Sequence, residues 1–182
     1  MILAGGKATR FGGADKAFVS LHGRPLVEHV LERLRPQAAP IAISANGDPA
    51  RFMAYGLPVL ADAPEFANCG PLAGVAAGLA WAAGQGAEFL LTMPVDTPAF
   101  PLTLVAELSP GPAVAVYAGR QHHLAALWPT GFAATLEDFL RRDAKYKVRD
   151  ALALCGARQV VFTSARDPFA NLNSPDDLLA FG

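Results

Sequence analysis

The sequence predicts an α/β layer fold with a largely parallel central sheet, and three observations lead there. Short apolar runs alternate along the chain with segments of helical period, the pattern of strands joined by covering helices. Several of those runs carry little polarity, as strands buried on both faces require. A glycine-rich segment, residues 3–16, directly follows the first run, at the strand end where open α/β sheets receive ligands.

In chain order, the first strand is expected at 1–4. Met1 and Ile2 alone precede Leu3, so this strand is expected to be short against the usual length of about 5 to 6 residues. Leu26, Val27, Val30, Leu31 and Leu34 then make one helical stripe, with Pro25 suited to the first turn and Pro36 ending the run. Strands follow at 40–45 and 58–61. Leu72, Val75, Ala76, Leu79 and Ala83 form a second stripe on a helix opened by Gly70-Pro71; its richness in Ala and Gly predicts close packing on the sheet. The run 88–93 is the next strand, and Leu102, Val105 and Leu108 give an apolar face to a helix after it. Runs 113–117 and 124–128 flank 119–123, read as a hairpin that makes the sheet mixed. Phe132, Leu136, Phe139 and Leu140 mark a further helix, 148–154 another, and 159–163 the last strand. The final helix begins at Ser174, where Ser can cap, Pro175 suits the first turn, and Asp176 and Asp177 suit the dipole.

Length and composition bound the rest. With 182 residues, one domain over 1–182 is expected, with a substantial core. Half the residues are hydrophobic and the net charge is −1, which argues against a protein held to nucleic acid by its field. Cys69 and Cys155 follow no metal-ligand spacing and read as free thiols of a reducing compartment, the cytoplasm. The longest apolar stretch, 71–84, is shorter than the roughly 20 residues a membrane span needs, so no membrane segment is expected.

Within 3–16, Gly5, Gly6, Gly12 and Gly13 let backbone N–H groups approach phosphate oxygens, while Lys7, Arg10 and Lys16 outweigh Asp15. The spacing is neither that of a Walker loop nor of a dinucleotide fingerprint. A flexible turn with solvated cations is the plainer alternative. Asp96, in Pro94-Val95-Asp96-Thr97-Pro98, follows an apolar strand and offers a carboxylate to a hard cation. It can equally be an Asx-type turn capping the following helix. Asn171 and Asn173 alternate on an extended segment and are expected to face one side, either toward a shared ligand or as turn-stabilising amides. Lys147 and Arg149 would share a side if extended and could meet an anionic substrate. No histidine is promoted to a general base: His22 reads as a turn residue, His29 as a helix-surface residue, and His122 and His123 as pointing to opposite sides of a strand.

Leu3-Ala4-Gly5-Gly6, Arg10, Gly12-Gly13 and Lys16 resemble the signature of nucleotidyltransferases with the nucleotide-diphospho-sugar transferase fold. The resemblance is strongest to the molybdenum cofactor guanylyltransferases. Further similar blocks are Gly70-Pro71-Leu72-Ala73-Gly74, Pro94 to Pro98, and Asn171-Leu172-Asn173-Ser174-Pro175. The resemblance implies a three-layer, Rossmann-like nucleotidyltransferase fold with a mostly parallel, mixed sheet. It implies an enzyme transferring GMP from GTP to molybdopterin with release of pyrophosphate. It implies that Leu3, Ala4, Gly5, Gly6, Lys16, Asn46, Asp62 and Asp96 contact GTP and that Asp96 holds Mg²⁺; for such a reaction the cations Arg10 and Lys16 can neutralise charge on the pentavalent phosphorus and the leaving group. Asn171 and Asn173 are implied to meet molybdopterin. Proteins of cofactor synthesis and molybdoenzyme maturation are the implied partners. The similar cytidylyltransferases typically carry Leu-Ala-Ala-Gly, so Gly5-Gly6 favours GTP; cytidylyl transfer and a catalytically inactive nucleotide-binding module are the alternatives. His123 stands where this family is expected to have proline.

Overall fold

The computed structural model describes residues 1–5, 7–8, 14–142 and 145–181. Seven strands form one sheet: β1 (Ile2–Leu3), β2 (Ile43–Ser44), β3 (Val59–Leu60), β4 (Phe89–Pro94), β5 (Ala113–Tyr117), β6 (Arg120–Pro129) and β7 (Arg158–Phe162). Their spatial order is β3-β2-β1-β4-β6-β5-β7. Neighbours pair in parallel except for β6, which runs antiparallel to both β4 and β5. The sheet is therefore mixed and mostly parallel, as expected, and β1 is short, as expected. Two small ribbons, Lys7–Ala8 with Ala14–Asp15 and Ser20–Leu21 with Arg24–Pro25, lie outside it.

Helices cover both faces, giving three layers. On one face, α1 (Leu26–Leu34) and α3 (Leu104–Leu108) pack over Ile2, Leu91, Met93 and Leu127. On the other, α2 (Pro71–Gly84), α4 (Ala133–Arg142) and α5 (Val148–Leu154) pack over Met1, Leu90, Val114, Ala126 and Trp128. Successive strand residues thus go to opposite cores, as a period of two requires. All five residues of the α1 stripe are buried, each worth about 1.5–3 kcal/mol of apolar transfer. Pro25 stands at the N-cap of α1 rather than inside its first turn.

In α2 the buried position is Ala82, and Ala83 is exposed: the helical period carries the stripe past the residue expected. In α3, Leu104 and Leu108 face the core and Leu102, which precedes the helix, is 59% exposed. The close packing expected of α2 is present. A Cβ on Gly74 would run into Ser44 Oγ, and one on Gly78 into the Met1 side chain.

The hairpin joining β5 to β6 turns at Ala118 and Gly119, whose φ angles of 47° and 77° suit a two-residue loop between twisted strands. Beyond it, β6 slips register against β5 between His122 and Ala126, so His123, Leu124 and Ala125 form a bulge. The buried Thr92 hydroxyl donates to the Leu124 carbonyl at 2.8 Å and accepts from Trp128 Nε1 at 3.0 Å. This satisfies a bulge carbonyl that the ladder leaves open. From β1 the chain builds outward to β2 and β3, then returns to place β4 on the other side of β1. The carboxyl ends of β1 and β4 therefore flank the switch point at which open α/β sheets bind ligands.

Candidate active site

Asp62, Asn46, Gly5 and Asp96 follow the carboxyl ends of β3, β2, β1 and β4, four adjacent parallel strands. They line one cleft of about 430 Å³ together with Leu3, Lys16, Ser44, Gly70, Pro71 and Gly74. Lys16 comes from a short turn, Lys16–Phe18, whose N-cap Asp15 accepts from Ala17 N at 3.1 Å. Its Nζ lies 2.5 Å from Asp96 Oδ2 and donates to Asn173 Oδ1 at 2.5 Å; the two charged side chains are 12% and 13% exposed. Across the cleft, Asn46 Nδ2 donates to Asp62 Oδ2 at 2.7 Å, and Asp62 N donates back to Asn46 Oδ1 at 2.9 Å. The two side chains hold each other in place.

A second cleft, of about 550 Å³, adjoins the first at Pro94 and Leu124. Asn171, Thr97, Phe169, Arg120, His122 and Lys147 are among its walls, with His123 and Arg149 beside them. The segment carrying Asn171 is pinned by buried Phe169 and Leu172, and Leu172 N donates to the Asp96 carbonyl at 2.8 Å. Burial holds the His122 and His123 imidazoles below their ordinary value of 6.5. Asp167 opposes this at His122, while Arg149 and Arg120 reinforce it at His123. Both rings are thereby biased toward the neutral form.

Several expectations change here. Ala4 does not line the cleft: it is buried, and its N–H donates to the Ser44 carbonyl at 2.8 Å, so the sheet has taken the donor a phosphate would use. Gly6 and Arg10 lie outside the described residues. Asn171 and Asn173 are both exposed, on either side of buried Leu172. The spacing of about 7 Å between alternate residues nevertheless sends them to different partners. Asn171 accepts from the Thr97 hydroxyl at 3.2 Å in the second cleft, while Asn173 holds Lys16. His122 and His123 line the same cleft rather than opposite faces, because the bulge breaks the alternation. Lys147 and Arg149 both reach the second cleft, although Lys147 caps α5 and Arg149 lies within it rather than on an extended segment. Asp96 does not cap the following helix, which starts at Leu104 with Thr103 as its N-cap.

Arg120, Thr97 and Phe169 were missed by reading the sequence. Arg120, the first residue past the hairpin turn, carried the one usable signal: a cation at a strand end on the ligand-binding edge. Among the described residues, no group of three or more His, Cys, Asp or Glu side chains is arranged to hold a metal. Asp96 still fits a hard cation. Its Oδ1 is committed weakly, by a 3.4 Å bond from the Thr97 hydroxyl, and such a cation takes its remaining ligands from phosphates and water.

A switch-point cleft with a lysine and a carboxylate at its inner end defines a nucleotidyltransferase of the α/β type. The chain matches the family described as the MobA-like NTP transferase domain over residues 1–163, and it belongs to that family. It is 49% identical over 178 residues to an Acidiphilium cryptum protein named molybdenum cofactor guanylyltransferase, covering 98% of this chain and 90% of that one. Its fold is shared by the solved molybdopterin-guanine dinucleotide biosynthesis protein A of Archaeoglobus fulgidus, at 21% identity and a TM-score of 0.70, covering 98% and 94% of the two chains. A Mycobacterium tuberculosis protein solved in complex with manganese has the same fold at 16% identity and a TM-score of 0.68, with 98% and 94% covered.

Proposed function

We propose that the protein transfers GMP from GTP to molybdopterin, releasing pyrophosphate. The observation that carries this reading is the meeting of two clefts at Pro94 and Leu124, with the Lys16–Asp96 pair on the wall of the smaller one. The smaller cleft receives GTP, its nucleoside against Asn46 and Asp62 and its phosphates beside Leu3, Gly5 and Lys16. The larger receives molybdopterin. Arg120, Lys147 and Arg149 on its walls suit that substrate's phosphate, and Asn171 can both donate to and accept from a pterin edge. The similar guanylyltransferase supports guanine over cytosine.

A phosphate monoester is already an anionic nucleophile, so the reaction needs no general base. Its terminal oxygen attacks the α-phosphorus in line. A new P–O bond forms as the bond to the β-phosphate bridging oxygen breaks, and that electron pair leaves with pyrophosphate. The protein aligns the two phosphates and neutralises charge on the pentavalent phosphorus and the leaving group. Lys16 serves the second task, presented by Asn173 from one side. Asp96 would hold a divalent cation, Mg²⁺ in our reading; the manganese complex of the structural neighbour supports a divalent ion at this fold. Held there, such a cation would supply charge neutralisation to the triphosphate. Arg120, Lys147 and Arg149 supply the second cleft's positive charge.

Pyrophosphate release, measured separately with GTP, CTP, ATP and UTP in the presence of molybdopterin and Mg²⁺, tests the reading. GTP alone should support turnover. Preference for CTP would overturn the guanylyl assignment, and Mg²⁺-dependent GTP binding without turnover would make the chain a binding module.

A further inference from the structure

We propose that Arg51 is a positioning residue for nucleotide binding, which clamps the exit of the glycine-rich loop to the end of β2. The inference rests on the reading that the 430 Å³ cleft receives the nucleotide. Arg51 is not among the residues lining that cleft; its guanidinium acts behind it. Nη2 donates to the Asn46 carbonyl at 2.7 Å, and Nη1 lies 3.1 Å from Asp15 Oδ2.

Each end of that bridge leads to a group facing the cleft. Asp15, through its other oxygen, caps the turn that presents Lys16. Asn46 is locked by two hydrogen bonds to Asp62. One side chain therefore sets the distance between the phosphate end of the cleft and its nucleoside end. Asp15 Oδ2 is buried and has no hydrogen-bond partner among the described residues. Its contact with Arg51 lies off the line of a hydrogen bond and is electrostatic. A desolvated carboxylate oxygen of this kind is costly unless a cation faces it, which makes Arg51 the element holding Asp15 in its capping position.

Arg51 is itself held from behind. It lies on the turn Pro49–Tyr55, whose N-cap Asp48 accepts from Ala50 N at 2.8 Å. Its Cζ sits 5.0 Å from the ring centroid of Phe52, which is fully buried. The planar fork matters because two acceptors in different directions must be met at once, which an ammonium point charge does not do.

Calorimetric titration of GTP with Mg²⁺ tests the clamp on the wild type, Arg51→Gln, Arg51→Lys, Asp15→Asn and the Asp15→Asn/Arg51→Gln pair. Arg51→Gln should weaken GTP binding roughly tenfold, as loss of a charge-assisted contact implies. At saturating GTP the kcat for pyrophosphate release should fall as well, by about threefold, because the clamp also sets the turn that presents Lys16. Arg51→Lys, which keeps a charge toward Asp15 but loses the Asn46 carbonyl, should fall between the two. The double variant should bind no more weakly than Arg51→Gln, since both changes open one link. Unchanged affinity in Arg51→Gln, with or without a lower melting temperature, would overturn the clamp and leave a structural side chain. So would full recovery of affinity in Arg51→Lys, or additive losses in the pair. Failure of the wild type to bind GTP would overturn the nucleotide reading along with it, whereas a variant-to-wild-type ratio near one overturns the clamp alone.

Discussion

Replacing Asp96 by alanine should strengthen GTP binding in the absence of metal while abolishing turnover in its presence. Lys16 Nζ lies 2.5 Å from Asp96 Oδ2 with both side chains largely shielded from water. At an effective dielectric constant of about 20, the gross attraction over that distance is about 7 kcal/mol. Most of it is offset by the desolvation of the two ions, and Asn173 continues to hold Lys16 in the variant. What remains is a lysine no longer occupied by a competing carboxylate, facing a triphosphate no longer repelled by one. The net gain should be about tenfold in metal-free affinity, or about 1.4 kcal/mol. With Mg²⁺ the order reverses: the variant gains nothing from the ion, and kcat should fall by at least about a thousandfold, roughly 4 kcal/mol of activation free energy. The fold should survive, because the carboxylate belongs to a strand-end turn and not to the core. A stability loss of about 1–3 kcal/mol is expected for the broken hydrogen bond, with about 2–4 °C per kcal/mol in a chain of this size. Titration calorimetry with and without Mg²⁺, alongside pyrophosphate release, reads both effects. Unchanged or weaker metal-free binding would refute the idea that Asp96 sequesters Lys16. Persistent Mg²⁺-dependent turnover would refute its role toward the metal.

Three further outcomes follow from the geometry. Asn171→Ala removes the amide that accepts from Thr97 in the second cleft and should raise KM for molybdopterin about tenfold, as one lost polar contact to an ionic substrate implies, with KM for GTP unchanged in steady-state assays varying each substrate. Gly74→Ala places a methyl against Ser44 Oγ and 3.3 Å from Leu3 Cδ2, both on the nucleotide cleft, and should cost about 1–3 kcal/mol by overpacking; denaturant unfolding and GTP affinity should worsen together. Because burial holds His122 and His123 below 6.5 in the folded chain, the unfolded chain binds more protons as pH falls through 6.5. Their contribution to stability is present above that value and is lost toward their lower folded values, so the melting temperature should drop between pH 7.5 and 5.5, and His122→Gln should flatten the drop.

The strands and helices were legible because each hides a run or stripe long enough to show its period. The α1 stripe, β5 and α5 are found where the apolar pattern puts them. Errors arose where one residue decides the face, as with Ala82 against Ala83, or where the backbone departs from its period. The bulge after His122 left no mark in the sequence, yet it turns two histidines into one cleft. The residues at strand ends, Gly5, Asn46, Asp62 and Asp96, could be gathered from the resemblance, and the switch-point topology accounts for their convergence. Ala4 shows the limit of that reading: its position in the motif is right, but its N–H belongs to the sheet. Arg51 was not legible, since its role depends on Asp15 and Asn46 meeting across a gap of some thirty residues.

The inverted strand β6 separates the two halves of the site by their architecture. The nucleotide cleft is built from strand ends joined by long crossovers, so any change there propagates through the sheet. One wall of the second cleft is instead the strand segment that leaves a two-residue hairpin and the bulge in it, a local unit whose side chains can be exchanged without rethreading the fold. Such a division lets acceptor choice drift independently of the nucleotide, and makes residues 118–125 the natural graft for redirecting this scaffold to a different phosphorylated acceptor.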